Sequence, residues 1–152
     1  MDTRTTILYV DDNPKSSRLL AGVLEQCRFR VVTKNDPAEA LALCHGCSFD
    51  LALLDYEMPV MSGARLAREI KFLMPNLPVV LISGRTEIPP AELEFVDAHF
   101  GFGTSLDDLL WTMRILATPK VFVHEHRQTA EGNVRHIPDS QRIVESRWSD
   151  ST

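Results

Sequence analysis

The chain has 152 residues, 44% hydrophobic and 24% charged, the proportions of an ordinary globular domain with room for one proper core. No stretch reaches the roughly 20 consecutive apolar residues of a membrane span, and MDTRTTILYVDD meets acid too early for a secretion signal, so the expectation is a cytoplasmic protein without a membrane role. The net charge of −5 argues against a nucleic-acid surface and leaves proteins as the expected partners.

Thr6–Val10 is a short apolar, β-branched run that ends in Asp11-Asp12-Asn13-Pro14. Pro14 suits the first turn of a helix with Asn13 as its cap, and Leu19, Leu20, Val23, Leu24 and Cys27 then recur at helical spacing on one face. Residues 29–33 predict a second strand. Asp36-Pro37 repeats the cap-and-proline start, and Ala38, Ala40, Leu41 and Cys44 make a short helix. The third strand is the run Leu51, Ala52, Leu53 and Leu54, which stops at a carboxylate, Asp55. Met58-Pro59 and Ser62-Gly63 supply turn chemistry before a helix carrying Leu66, Ala67, Ile70, Leu73 and Met74. Residues 77–82 predict the fourth strand, with Ser83-Gly84 as its exit. Pro89-Pro90 delays the next helix to a short segment, residues 91–96, and the fifth strand, residues 98–102, is a poor one because it contains Gly101. A last helix follows with Thr104 or Ser105 as its cap and Leu106, Leu109, Leu110, Met113 and Leu116 on one face.

Strands alternating with helices, five of each, predict an α/β domain with a doubly wound five-stranded parallel sheet, because right-handed crossovers place helices on both faces. The domain is expected over residues 1–117. From Thr118 onward basic and acidic residues balance with few apolar residues between them, so residues 118–152 are expected to be a polar tail, flexible or docking in short pieces. Cys27, Cys44 and Cys47 read as reduced packing thiols, and the Cys44-His45-Gly46-Cys47 spacing lacks the second ligand pair of a zinc site. His124, His126 and His136 fall in the polar tail and read as solvated side chains before they read as ligands.

Asp55 taken alone has two readings, a turn or helix cap and a functional acid at a strand tip. Its neighbours bear on the choice. In a doubly wound sheet the first and third strands are adjacent, so Asp11, Asp12 and Asp55 converge outside the carboxyl ends of the strands, with Ser83 beside them. Crowded carboxylates raise one another's pKa unless a hard cation holds them, and Mg2+ prefers a few carboxylates, waters and a phosphate oxygen. The pattern anticipates Mg2+ and a phosphoryl group, with Asp55 as the nucleophile and the Ser83 hydroxyl donating to a phosphoryl oxygen.

With ILYVDDNP, LALLDYEMPVMSG and VVLISG in place, the chain resembles the receiver domain of two-component response regulators, a flavodoxin-like fold, over about residues 5 to 117. The resemblance implies Asp55 as phosphoacceptor, Asp12 as direct metal ligand with Asp11 beside it, and the backbone carbonyl of Glu57 completing the metal shell. Ser83 would be the hydroxyl that moves toward the phosphoryl group, and Met58-Pro59 and Gly63 would shape the site. It implies phosphoryl transfer from a histidine kinase or phosphotransfer protein, and an answer by repacking of the face made by the fourth and fifth helices. The family carries a lysine at the end of the fifth strand to contact the phosphoryl group, and here Phe102 stands in its place. No lysine occurs between Lys71 and Lys120. A lost charge-assisted hydrogen bond costs on the order of 1.5–3 kcal/mol. Lys15 and Arg85 are the candidate substitutes, each also readable as a solvated surface charge, and His99 occupies the place of the family's switch aromatic.

The leading expectation is a non-enzymatic phosphorelay receiver that signals by contacting a downstream protein. The alternative is a phosphorylation-independent module that binds partners or forms a homodimer through the face of residues 100–116. A phosphohydrolase would want an aspartate two residues beyond the nucleophile, where Glu57 stands. A flavin carrier would want amides and hydroxyls where the first loop has acids.

Overall fold

The computed structural model describes residues 2–101 and 103–119. The sequence readings that fall on Phe102 and on residues 120–152 lie outside the described residues. Five strands, β1 (Thr6–Val10), β2 (Arg30–Lys34), β3 (Leu51–Asp55), β4 (Val79–Ile82) and β5 (Ala98–Phe100), pair in parallel in the order β2-β1-β3-β4-β5. The helices are α1 (Pro14–Gln26), α2 (Pro37–Cys44), α3 (Gly63–Leu73) and α4 (Leu106–Ala117). The expected doubly wound α/β sheet is therefore present.

Side chains alternate across the sheet at period two, which divides the core into two layers. Leu8, Val10, Ala52, Leu54, Val79 and Leu81 pack against α2 and α3 through Ala40, Cys44, Leu66, Ala67 and Ile70. Ile7, Tyr9, Leu51, Leu53 and Val80 pack against α1 and α4 through Leu24, Leu109, Leu110 and Met113. Side-chain caps start each helix, as read for α1, α2 and α4, while Ser62, read as a turn residue, caps α3. The Asn13 side chain accepts from Lys15 and Ser16 N–H, Asp36 from Ala38, Ser62 from Arg65 and Ser105 from Asp108.

Three expectations need correction. The expected fifth helix over residues 91–96 is a single 3-10 turn, Pro90–Leu93, leaving four α-helices among the described residues. Pro90 holds Pro89 extended at ψ 132, and the few residues before Asp97 are too short for an α-helix to propagate. Leu19 is 75% exposed, because the buried stripe of α1 runs through Ser17 and Leu24 with Leu20 and Ala21 partly covered between them. Leu106, in the first turn of α4, is likewise exposed while Leu109, Leu110 and Met113 face the sheet.

Candidate functional site

β1 and β3 pair directly, with Val10 opposite Leu54, so both strands end at one rim of the sheet. Asp11 and Asp12 leave β1 there and Asp55 ends β3. One carboxylate oxygen from each of the three lies within 4.8 Å of the others.

Asp11 is buried and tied on every side. Its Oδ2 accepts from the Tyr9 hydroxyl at 2.8 Å and its Oδ1 from the Asn13 N–H at 2.8 Å. Its carbonyl accepts from Asn35 Nδ2 at 2.7 Å, and its own N–H donates to the Lys34 carbonyl at 3.1 Å. Asn35 Nδ2 also reaches the buried Ser17 hydroxyl at 3.0 Å, which locks the loop to α1. Burial, then the bond to Asp11, pushes the Tyr9 phenol far above the usual range, so it remains a donor at any ordinary pH. Tyr9, Asn35 and Ser17 were not singled out in the sequence. Tyr9 had a signal, since it sits two residues before Asp11 on the same side of the strand. Asn35 had none, because its role depends on the pairing of β1 with β2.

Asp55 is looser. Its Oδ1 accepts one long bond, 3.3 Å, from the Glu57 N–H. Burial first, and then the charges of Asp11, Asp12 and Glu57, push its carboxyl up to about 6, against the lowering effect of that N–H. Asp55 pairs in register with Ile82, which brings Ser83 alongside. The Ser83 N–H donates to the Phe100 carbonyl at 2.9 Å, and its Oγ accepts from the Arg85 N–H at 2.9 Å. Asp55 and Ser83 share a cleft of about 420 Å³ with Ile82, Phe100, Ser105 and Leu109. Glu57 is exposed, and its Oε1 pairs with Arg85 Nε at 3.1 Å. His99 is exposed on β5 opposite Leu81, whereas its neighbour Phe100 turns into the cleft.

The donor set is three carboxylates, hard oxygens of like charge held together at partial burial, and such a set fits a hard divalent cation. Without one, burial first and then the charges of Asp11, Asp12 and Glu57 work against ionisation of Asp55.

The sequence matches the response regulator receiver domain family over residues 7–99. The chain belongs to that family. Sensor histidine kinase RcsC of Salmonella typhimurium is 42% identical to this receiver over 74 residues, which cover 49% of this chain and 8% of RcsC. Transcriptional regulatory protein GlrR of Escherichia coli is 33% identical over 98 residues, covering 64% of this chain and 22% of GlrR. The receiver thus matches only a small part of each of these larger proteins. Among solved structures, response regulator protein TrrA of Thermotoga maritima in complex with Mg2+-BeF superposes with a TM-score of 0.69 at 26% identity, over 74% of this chain and 98% of that one. TrrA in complex with histidine kinase ThkA gives the same score and identity, over 75% and 99%. No helix among the described residues of this receiver is long and apolar enough to cross a membrane.

Proposed function

We propose that this receiver accepts a phosphoryl group on Asp55 and signals through contact with a downstream protein, as a cytoplasmic member of a two-component phosphorelay and not as an enzyme in its own right. The observation that carries the reading is the convergence of Asp11, Asp12 and Asp55 from two adjacent strands onto one small volume. The donor would be a phosphohistidine of a histidine kinase or phosphotransfer protein, a reading supported by the ThkA–TrrA complex. An Asp55 oxygen attacks phosphorus, the P–N bond breaks with its electron pair leaving on the imidazole, and an acyl phosphate remains on Asp55. Above about pH 6 Asp55 is ionised, and its partial burial leaves the attacking oxygen poorly hydrated.

Asp11, Asp12, Asp55 and the backbone carbonyl of Glu57 would hold Mg2+, which when bound neutralises carboxylate and phosphoryl oxygens. Tyr9, Asn13 and Asn35 keep the first acid in place for that task. Because the Ser83 oxygen accepts from Arg85 N–H, its proton is free to point at a phosphoryl oxygen. His99 occupies the switch position on β5.

One feature favours a second reading, a phosphorylation-independent binding or dimerisation module: Phe102 stands at the lysine position and the chain has no lysine between Lys71 and Lys120. Incubating the full chain with Mg2+ and acetyl phosphate, with intact-mass detection, separates the two. Addition of one phosphoryl group, lost in Asp55→Asn, supports transfer. An unmodified wild-type chain that also ignores beryllofluoride overturns it.

A further inference from the structure

We infer that Arg85 supplies the cation of the phosphoryl site, leaving Glu57 and the Tyr56 ring to bind the modified Asp55. The inference rests on the phosphoacceptor reading above and goes beyond it by naming the residue that answers the added charge.

The chain's nearby cations have distinct placements. Lys71 is committed elsewhere: its Nζ lies 2.7 Å from Asp97 Oδ2, and that same oxygen accepts from the Val79 N–H at the opposite, N-terminal end of β4. Lys34 is paired with Glu39 at 3.3 Å on α2. Lys15 lies exposed in the first turn of α1, its N–H taken by the Asn13 cap. Arg85 is different, because both its backbone and its side chain are already attached to the site. Its N–H is bonded to Ser83 Oγ at 2.9 Å. Its carbonyl lies against Gly101, where a β-carbon would sit 3.3 Å away, so the loop packs on the exit of β5, one residue before the position at which a receiver lysine would enter. Its guanidinium bonds Glu57 Oε1 at 3.1 Å and lies 5.6 Å from the centre of the Tyr56 ring. Tyr56 and Glu57 are the two residues that follow Asp55.

The guanidinium therefore rests against the side chains of the two residues that follow Asp55. The Arg85 and Glu57 side chains are 59% and 49% exposed, and an ion pair so open to water is weakly held. A phosphoryl group on Asp55 carries more negative charge than Glu57 and offers acceptor oxygens that a planar guanidinium can grip in pairs. The Arg85 N–H bond to Ser83 Oγ keeps the start of this side chain beside the strand that pairs with β3, from where the exchange of partners is a side-chain movement.

The test is beryllofluoride binding to the full chain with Mg2+ present, read by fluorine-19 NMR and calorimetry. In Arg85→Ala, affinity is expected to fall about tenfold, equivalent to about 1.4 kcal/mol. In Arg85→Lys it should recover to within about threefold of wild type, because a point charge restores attraction but not paired hydrogen bonds. The Arg85 side-chain Nε resonance of the wild type should shift on addition of the mimic, which a merely structural role would not produce. Wild-type affinity in Arg85→Ala, or an unmoved Nε resonance in a mimic-saturated wild type, overturns the inference and leaves the phosphoacceptor reading standing. A wild type that binds no mimic overturns the inference, and overturns the phosphoacceptor reading too when acetyl phosphate also leaves the chain unmodified.

Discussion

The two halves of the sheet rim are built to different standards. On the β1 side, Asp11 has both carboxylate oxygens, its carbonyl and its N–H engaged, and β1 and its neighbour β3 are buried along almost their whole length. On the β4–β5 side, β5 is three residues long with none buried, and the preceding 3-10 turn also buries none. The first half holds Asp11 still while β5 and the turn before it have little packing to resist movement. Where charge must be gathered, the chain uses a rigid scaffold. Where a signal would be relayed, it leaves thin structure whose alternatives differ little in energy.

The most direct way to break this contrast is to make the same truncation on each side. Leu54→Ala, at a fully buried position of β3, should cost about 2–5 kcal/mol in urea unfolding, while Leu106→Ala, 43% exposed at the edge of the cleft, should cost under about 1 kcal/mol. Equal losses would mean that the β5 side carries as much of the core as β3 does.

Tyr9→Phe sharpens the comparison by removing one hydroxyl from the rigid half. It should destabilise the fold by about 1.5–3 kcal/mol at pH 7, the range for a bond to an ionised partner left unmade in a buried place. Thermal unfolding with and without Mg2+ checks it, and the wild type should gain more from the metal than the variant.

Asp55→Asn should act in the opposite direction. The folded carboxyl titrates near 6, above its ordinary 3.8, so its favourable contribution is complete below about pH 3.8 and is lost as pH rises through about 6. At pH 7.5 without metal, the ionised group opposes folding by about 1–2 kcal/mol after allowance for its partial exposure. The substitution should recover that amount, and the gain should shrink toward pH 4 in urea titrations at stepped pH. Adding Mg2+ should narrow the gap by stabilising the wild type.

The smallest effect lies away from both halves. Arg28 follows α1 with φ at 69, a left-handed conformation that costs a side chain about 1 kcal/mol. Arg28→Gly should raise stability by up to that amount in chemical denaturation, less what glycine's extra freedom removes.

Much of this was legible in the sequence because its signals are local. Asn13-Pro14 and Asp36-Pro37 each announce a helix start through one side-chain oxygen, and the run ending at Asp55 announces a buried strand and its tip. The meeting of Asp11, Asp12 and Asp55 followed from one inference about strand order. What escaped depends on three-dimensional pairing or on competition between weak tendencies. Asn35 clamps Asp11 only because β2 lies beside β1. Leu19 fits the apolar spacing of α1, yet the small Ser17 takes the inward place because Asn35 offers it a partner. Residues 91–96 carry enough apolar character to suggest a helix, but Pro89-Pro90 in front and Asp97 behind leave room for one turn.

Gly63 has a lasting effect on how motion can spread. A β-carbon there would overlap the carbonyl oxygen of Asp55 and come within 2.7 Å of Leu81 Cδ1, while the Gly63 N–H holds the Tyr56 carbonyl at 3.0 Å. The end of β3 and the first turn of α3 are thereby fused into one unit, with no slack between them. A disturbance at Asp55 has a stiff wall on that side and a softer path outward through the Ser83–Arg85 loop.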